Sequence, residues 1–275
     1  MIIEILKVIA IGIVEGITEW LPISSTGHMI LLDEIIKLDV SPQFLELFLV
    51  VVQLGAILAV PVVFWQRLNP FVKSNVERKS SFSLYLKVFI GAIPAAMLGF
   101  LLDDLLDKYL YNYVVVAFTL IIYGIAFVFV EKNRAENKIL IESVDGLTIV
   151  DALKIGAFQT LSLIPGTSRS GSTILGGMLF GVSREASAEF SFLMAIPIML
   201  GASGLKIVKF IIEGFTASLE ELVLFTIGTF VSFIVSLLVI RFLMDFVKSH
   251  NFKIFGYYRI ILGVIVLICF LVNNL

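Results

Sequence analysis

The sequence is short of charge, cysteine and histidine, and each shortage excludes something. Charged residues make up 15% of the 275, against 59% hydrophobic, and mean hydropathy is +1.04. Soluble globular domains carry roughly 25% charged residues, so a water-soluble fold is excluded. The lone cysteine, Cys269, sits in a terminal apolar run and excludes a disulfide framework or a thiolate metal cluster. A net charge of −2 offers nothing to nucleic acid, and no nucleic-acid partner is expected. No Gly/Ser linker or low-complexity tract divides the chain, so residues 1–275 are expected to form a single membrane domain. The first residues, MIIEILKVIA, lack the basic region and small-residue cleavage site of a signal peptide and are expected to belong to the structure.

What the chain does have is long apolar runs. A helix needs about 20 residues to cross a hydrocarbon core. Six runs suffice, roughly 46–66, 84–102, 112–130, 186–207, 219–240 and 257–273. Loop charges orient them. Arg67, Lys73, Arg78 and Lys79 fall in 67–80, and Lys132, Arg134 and Lys138 in 131–150. Arg241, Lys248 and Lys253 fall in 241–256, with Arg259 following, whereas the turn 103–107 carries Asp103, Asp104 and Asp107. Loops rich in Lys and Arg stay in the cytoplasm, which puts the first three loops inside and 103–111 outside. Lys206 and Lys209, at the outer end of 186–207, run against this rule.

The same walk leaves 150–185 beginning and ending inside, although it is largely apolar. It is therefore predicted to be a re-entrant helix–turn–helix hairpin, and residues 1–40 a matching hairpin entering from outside. The predicted fold is all-α, an integral membrane protein built as an inverted-topology repeat. It has six full transmembrane helices plus two re-entrant helical hairpins. Repeat 1 covers about 1–130, repeat 2 about 150–275, and a cytoplasmic connector about 131–149. Both termini are then extracytoplasmic.

A doubled segment supports the repeat. Residues 11–31, IGIVEGITEWLPISSTGHMIL, align with 155–175, IGAFQTLSLIPGTSRSGSTIL, at a constant offset of 144. Ile11 matches Ile155, Gly12 matches Gly156, Ser24 matches Ser168 and Gly27 matches Gly171. Glu15 stands opposite Gln159, Glu19 opposite Leu163 and Thr26 opposite Ser170, so the two copies are not chemically equal. A Pro-broken, hydroxyl-rich segment repeated inside an apolar chain points to a site at the repeat interface.

Glu15 and Glu19 are one helical turn apart and share a face. Each ionised group at membrane depth costs at least about 2.5 kcal/mol, so two together call for a cation, a proton or a basic partner. The plain alternative, a solvated interfacial pair, fits poorly with apolar residues on both sides. Carboxylates suit Mg²⁺ or Ca²⁺, which makes Glu15 and Glu19 the candidate metal ligands. Pro22 breaks the helix, and Ser24, Ser25 and Thr26 can cap the next one, whose N-terminus suits an anion. The second turn repeats this with Ser168, Ser170 and Thr173 and adds Arg169, whose guanidinium fits phosphate bidentately. Simple capping and helix packing would explain the hydroxyls alone. His28, beside the carboxylates and hydroxyls, becomes a candidate proton shuttle or nucleophile. The inventory reads as a phosphate site with metal assistance.

EGITEWLPISSTGH resembles the glutamate-rich motif of the bacitracin-resistance type of undecaprenyl-pyrophosphate phosphatases, and PGTSRSGST resembles their PGxSRSxxT signature. The resemblance extends over essentially the whole chain. It implies hydrolysis of undecaprenyl pyrophosphate to undecaprenyl phosphate and inorganic phosphate. That reaction recycles the lipid carrier of peptidoglycan and other wall polymers on the extracytoplasmic face of the bacterial plasma membrane. It also implies a divalent cation and a homodimer. By resemblance, Glu15 and Glu19 fall on the motif carboxylates, and Ser25 and His28 on its functional Ser and His. Ser168, Arg169, Ser170 and Thr173 fall on the second signature. Glu15, Glu19, Ser25, His28 and Arg169 are the expected catalytic set, and Ser24, Thr26, Ser168, Arg169, Ser170 and Thr173 the expected pyrophosphate ligands. Ser25 with His28 as its base is the preferred nucleophile, while His28 itself and a metal-activated water stay open.

A rival lipid phosphatase family with PSGH and SRxxxxxH motifs shares part of SSTGH. It needs a second catalytic histidine, and His250 lies among Lys248, Asn251 and Lys253 in a predicted loop. The alternative from another class is a polyprenyl-phosphate transporter or flippase, because inverted repeats with broken helices are common among secondary transporters.

Overall fold

Helices begin where the sequence supplies a side chain that can accept from a free backbone N–H. Ser24, Ser41, Asn112, Thr148, Ser168, Ser183 and Ser218 each cap a helix by accepting from the N–H three residues on. At Thr148 and Ser218 the partner residues, Asp151 and Glu221, return the bond and complete a capping box. The computed structural model describes residues 1–71, 74–110, 112–134 and 139–273, without the side chains of residues 33, 34, 75–78, 103, 104, 107 and 273. Of the charges used for orientation, Lys73, Arg78, Asp103, Asp104, Asp107 and Lys138 lie outside the described residues or side chains.

The chain runs α1 (Ile2–Thr18), α2 (Ser25–Ile35), α3 (Pro42–Val63), a single turn α4 (Trp65–Leu68), α5 (Asn75–Leu110), α6 (Tyr113–Asn133), α7 (Ile149–Gln159), α8 (Arg169–Leu179), α9 (Arg184–Ile212), α10 (Leu219–Ser249) and α11 (Lys253–Asn273). Among the described residues there is no strand, only an isolated bridge between Ile141 and Val182. Six helices are long and apolar enough to cross a membrane: Pro42–Val63, Lys79–Leu102, Tyr113–Asn133, Arg184–Ile212, Leu219–Ser249 and Lys253–Val272. They coincide with the six apolar runs. Each extends past its apolar run at one end or both, Leu219–Ser249 by nine residues, because caps and charged turns lengthen the helices, whereas Pro42–Val63 stops three residues short of its run. Phe89, Phe100, Leu205, Ile212 and many other large apolar side chains point outward, as a lipid-facing surface requires.

The first and second short helices form a pair whose outer ends stay together. Lys7 at the start of α1 donates to the Lys37 carbonyl beyond α2, and the Asp39 N–H donates to Glu4. Ser41 and Ser218 both bond Glu221, which brings the start of α10 to the same end. The second pair, α7 and α8, is joined at its own outer end, where Lys154 of α7 lies 5.4 Å from the centre of the Phe180 ring. There Leu140 donates to the Gly181 carbonyl, Arg134 to the Val182 carbonyl, and Arg184 pairs with Glu131 at 2.6 Å. Arg67 of α4 and Asp145 belong to this second end. Lys206 and Lys209, the exceptions to the charge rule, face Glu46 at 3.7 Å and Glu213 at 3.9 Å.

The broken pairs are held inward by close backbone approach. A Cβ added at Gly12 of α1 would sit 2.6 Å from the Gly228 carbonyl of α10. Gly156 of α7, the repeat counterpart of Gly12, presses in the same way on the Gly91 carbonyl of α5. No side chain fits at either crossing, and membrane helices use such small residues to pack backbone on backbone.

Candidate active site

Both broken pairs turn around a serine in an unusual conformation. Ser24 has φ 73° and Ser168 has φ 74°, the two positive values at non-glycine residues among those described. Pro22 and Pro165 precede them and deny a helical path to the chain. In each turn the serine hydroxyl accepts from the N–H three residues on, Gly27 at 3.2 Å and Gly171 at 3.1 Å. The two turns are therefore the same device, and each presents a helix N-terminus to the interior.

The turns touch each other. Ser170 Oγ donates to the carbonyls of Glu19 and Leu21, each at 3.2 Å. Arg169 Nη2 donates to Glu19 Oε1 at 3.0 Å. Its Nη1 donates to the Ser191 carbonyl of α9 at 2.8 Å, and the guanidinium lies 5.3 Å from the centre of the Trp20 ring. Thr173 Oγ1 donates to the Arg169 carbonyl at 2.8 Å and meets the Ser191 hydroxyl at 2.6 Å, so it braces the arginine. Ser168 and Ser170 share a hydroxyl contact at 3.2 Å. Thr26 lies half-buried in the first turn of α2.

Glu19 is the centre of this arrangement. Its Oε2 accepts from Ser25 Oγ at 2.9 Å while its Oε1 holds Arg169. A hydroxyl, a carboxylate and a guanidinium are thus linked by hydrogen bonds, with Glu19 nine-tenths or more out of solvent, and groups of these types can serve as nucleophile, proton acceptor and anion-binding fork. Ser25 makes no hydrogen bond with His28, the pairing expected from their three-residue spacing. Helical spacing puts both on one side of α2, but Ser25, at the first helical position, turns back across the gap to Glu19. His28 folds its Nδ1 onto the Ser24 carbonyl at 2.7 Å. A carbonyl only accepts, so Nδ1 carries the proton and Nε2 is free to accept. Nε2 meets the Tyr258 hydroxyl of α11 at 2.6 Å.

Glu15 is 1% exposed, and its Oε1 has no hydrogen-bond partner. Arg169 and Glu19 are the charges that act on it. No group of three or more His, Cys, Asp or Glu side chains stands together among the described residues. The oxygen donors present are nonetheless of the kind a hard divalent cation takes. Mg²⁺ in particular is held by one or two carboxylates, with phosphate and water completing the shell. The orphaned Glu15 oxygen beside Glu19 fits such a group.

Four contributors were not singled out from the sequence as site residues: Trp20, Ser191, Tyr258 and Arg259. Trp20 sits inside the first motif, yet an aromatic there reads as packing. Ser191 and Tyr258 arrive from distant helices. Arg259 looks like a flanking loop charge, but it is completely buried and bonds both turns.

The chain matches the family model described as "Bacitracin resistance protein BacA" over residues 8–265. It is 53% identical over 270 residues to the undecaprenyl-diphosphatase of Enterococcus faecalis, covering 97% of each chain. It is 54% identical over 271 residues to the undecaprenyl-diphosphatase of Acetivibrio thermocellus, covering 98% of each. A protein of Oenococcus oeni named undecaprenyl-diphosphatase 1 is 50% identical over 269 residues, again with 97% of each chain covered.

Proposed function

The chain belongs to the bacitracin resistance protein BacA family, and from that we propose that it is an undecaprenyl-diphosphatase of the bacterial plasma membrane. It hydrolyses undecaprenyl pyrophosphate to undecaprenyl phosphate and inorganic phosphate. The observation that carries the reading is Glu19, held between the Ser25 hydroxyl and the Arg169 guanidinium where the two turns meet. Nothing in this arrangement favours the transport alternative.

In the proposed mechanism the pyrophosphate lies against the N-termini of α2 and α8, with the Arg169 fork on the terminal phosphoryl group. Ser24, Thr26, Ser168, Ser170 and Thr173 line or brace that cradle. Ser25 Oγ attacks the terminal phosphorus and passes its proton to Glu19 Oε2. The bridging P–O bond breaks, and its electron pair leaves on undecaprenyl phosphate. Arg169 offsets the charge that develops there. Such a preorganised donor is worth roughly 3–4 kcal/mol in enzymes where one has been removed. Water then attacks the phosphorus of the phosphoserine and gives a proton to the Tyr258 oxygen as the Tyr258 hydroxyl passes its own to His28 Nε2. The P–Oγ bond breaks as Glu19 returns its proton to Ser25 Oγ, inorganic phosphate leaves, and His28 releases its proton to solvent. The choice of Glu19 rather than His28 as the base of Ser25 is supported by the 2.9 Å hydrogen bond between them. Glu15 and Glu19 would hold a divalent cation, Mg²⁺ or Ca²⁺, which when bound supplies neutralising charge to the pyrophosphate oxygens.

The inverted-topology repeat with re-entrant hairpins is part of the proposal. Its support is that α1–α2 and α7–α8 are each joined at their own outer ends. A second support is that α1 packs on α10 as α7 packs on α5, each through a glycine at the equivalent position. The end with Arg67, Arg134 and Arg184 is proposed to be cytoplasmic, so both termini and the mouth of the site are extracytoplasmic. A homodimer, by likeness to the family, completes the reading. The test is phosphate release from undecaprenyl pyrophosphate by the purified chain, with and without chelator. No release with Mg²⁺ or Ca²⁺ present would sink the assignment.

A further inference from the structure

Every hydrogen bond of Arg259 goes to one of the two site turns, yet Arg259 takes no part in the mechanism above. It leaves the second turn of α11 and is 0% exposed. Its Nη1 donates to the Pro22 carbonyl of the first broken turn at 3.1 Å. Its Nη2 donates to the Gly166 and Thr167 carbonyls of the second turn, both at 2.9 Å. One planar fork therefore spans the two turns immediately before their strained serines. Pro22, two residues before Ser24, and Thr167, next to Ser168, are bonded to the same guanidinium.

The charge on Arg259 is not spent on an ion pair. Among the described residues its acceptors are carbonyl oxygens, its ring neighbour is Tyr123 at 5.6 Å, and its Nε is buried without a partner. Burying a cation among dipoles alone is costly, and a fold that needed only a cross-link would do better with a neutral donor. The cost is offset when an anion arrives nearby. Arg259 Nη1 lies close enough to Gly171, in the first turn of α8, that a Cβ added there would sit 3.1 Å from it. The first turn of α8 is also where Arg169 sits.

We propose that Arg259 is a positioning residue for the pyrophosphate: its fork fixes the two turns relative to each other, and its unpaired charge raises their joint affinity for the anion. The proposal rests on the phosphatase reading. It predicts that Lys cannot replace Arg, because one ammonium cannot reach three carbonyls of two turns. It also predicts that charge, not only donor geometry, is required.

The test uses the full chain in detergent, with phosphate release from undecaprenyl pyrophosphate followed at fixed Mg²⁺. Arg259→Lys is expected to stay monodisperse, with kcat lower by on the order of a hundredfold from misplaced turns and a higher KM. Arg259→Ala is expected to regain activity with added guanidinium and not with urea, an uncharged molecule of the same shape. Wild-type kinetics in Arg259→Lys, or equal recovery with urea, would overturn the proposal. So would failure of both variants to fold, since the residue would then serve the fold alone. If the wild type releases no phosphate, the phosphatase reading fails instead. Calorimetric binding of inorganic pyrophosphate still decides the clamp in that case: Arg259→Lys should bind at least about tenfold more weakly than wild type, and equal binding would overturn it.

Discussion

Ser24 and Ser168, at equivalent places in the doubled segment, adopt nearly the same forbidden backbone, φ 73° with ψ 101° and φ 74° with ψ 124°. Each then caps the helix that follows. Positive φ at a residue with a Cβ stores roughly 1–3 kcal/mol, while a serine cap returns about 1 kcal/mol. The strained turn is kept where it aims two helix N-termini into one interior.

Strain and cap can be separated by substitution. Ser168→Ala loses the cap and keeps the strain, so it should lower stability by about 1 kcal/mol. Ser168→Gly also loses the cap but sheds the strain, and should unfold at a higher temperature than Ser168→Ala. The same order is expected at Ser24. Thermal unfolding in detergent measures both, and an alanine variant as stable as the glycine one would remove strain from the account.

Glu19 and Glu15 should respond differently to amide replacement. Glu19→Gln loses the proton acceptor of Ser25 and the counter-charge of Arg169, so turnover should fall by about 10²–10⁴-fold. Glu15→Gln leaves the Ser25–Glu19 bond in place. Its expected effect is a rise in the Mg²⁺ or Ca²⁺ concentration needed for half-maximal rate, with less change at saturation. Metal titration of the two variants checks this. Identical titration curves for Glu15→Gln and wild type would remove Glu15 from the metal site.

Arg169→Lys should not restore function. The arginine uses one nitrogen on Glu19, another on Ser191, and its plane on Trp20. A lysine ammonium is a point charge without that fork. A loss of roughly 3 kcal/mol in kcat/KM is expected. Steady-state kinetics near wild type would show that charge alone suffices at this position.

Much of the candidate site was legible because it lies in a doubled segment, although the glutamates and Arg169 occur in one copy each. The hydroxyl turns, Arg169 and the two glutamates all lie in the doubled segment, and the six apolar runs became the six long helices with small changes at their ends. What was illegible depended on side-chain direction and on helices far away in sequence. Ser25 could reach either His28 or Glu19, and only the backbone bend at Ser24 selects Glu19. Tyr258 and Arg259 are adjacent on α11, but about 100° of helical rotation sends one to His28 and the other between the turns. Periodicity in one sequence does not reveal which turn a helix will pack against. Lys206 and Lys209 run against the charge rule, and the partners they face, Glu46 and Glu213, lie on another helix and just past the helix end.

Tyr258→Phe isolates the newly found partner of His28. The hydroxyl donates to Nε2 at 2.6 Å, and its loss leaves the ring held at Nδ1 alone. A net hydrogen bond is worth about 0.5–1.5 kcal/mol, so a several-fold fall in kcat is expected, confined to the step in which His28 accepts a proton. Single-turnover kinetics should then show slower phosphoenzyme breakdown with unchanged formation. Slowed formation would instead make His28 the base of Ser25.

The route through Ser25 has a stereochemical signature that turnover does not. Ser25→Ala should be slow whether the hydroxyl attacks phosphorus or merely bonds a phosphate oxygen, so loss of rate cannot choose between them. Two in-line displacements at phosphorus retain configuration, and one inverts it. A substrate made chiral at the terminal phosphorus with sulfur and oxygen isotopes is therefore expected to give retention. Glu19 lies within a hydrogen bond of Ser25 and is positioned to take its proton in the first displacement. His28, bonded through Nε2 to Tyr258, is the group left to receive the water's proton in the second. Trapping should follow the same logic: His28→Ala slows hydrolysis of the intermediate more than its formation, so phosphoserine at residue 25 should accumulate and be found by mass spectrometry. Inversion, with no phosphoserine in His28→Ala, would move the nucleophile to water and leave Glu19 as the base for that water, with Ser25 reduced to a ligand of the phosphate.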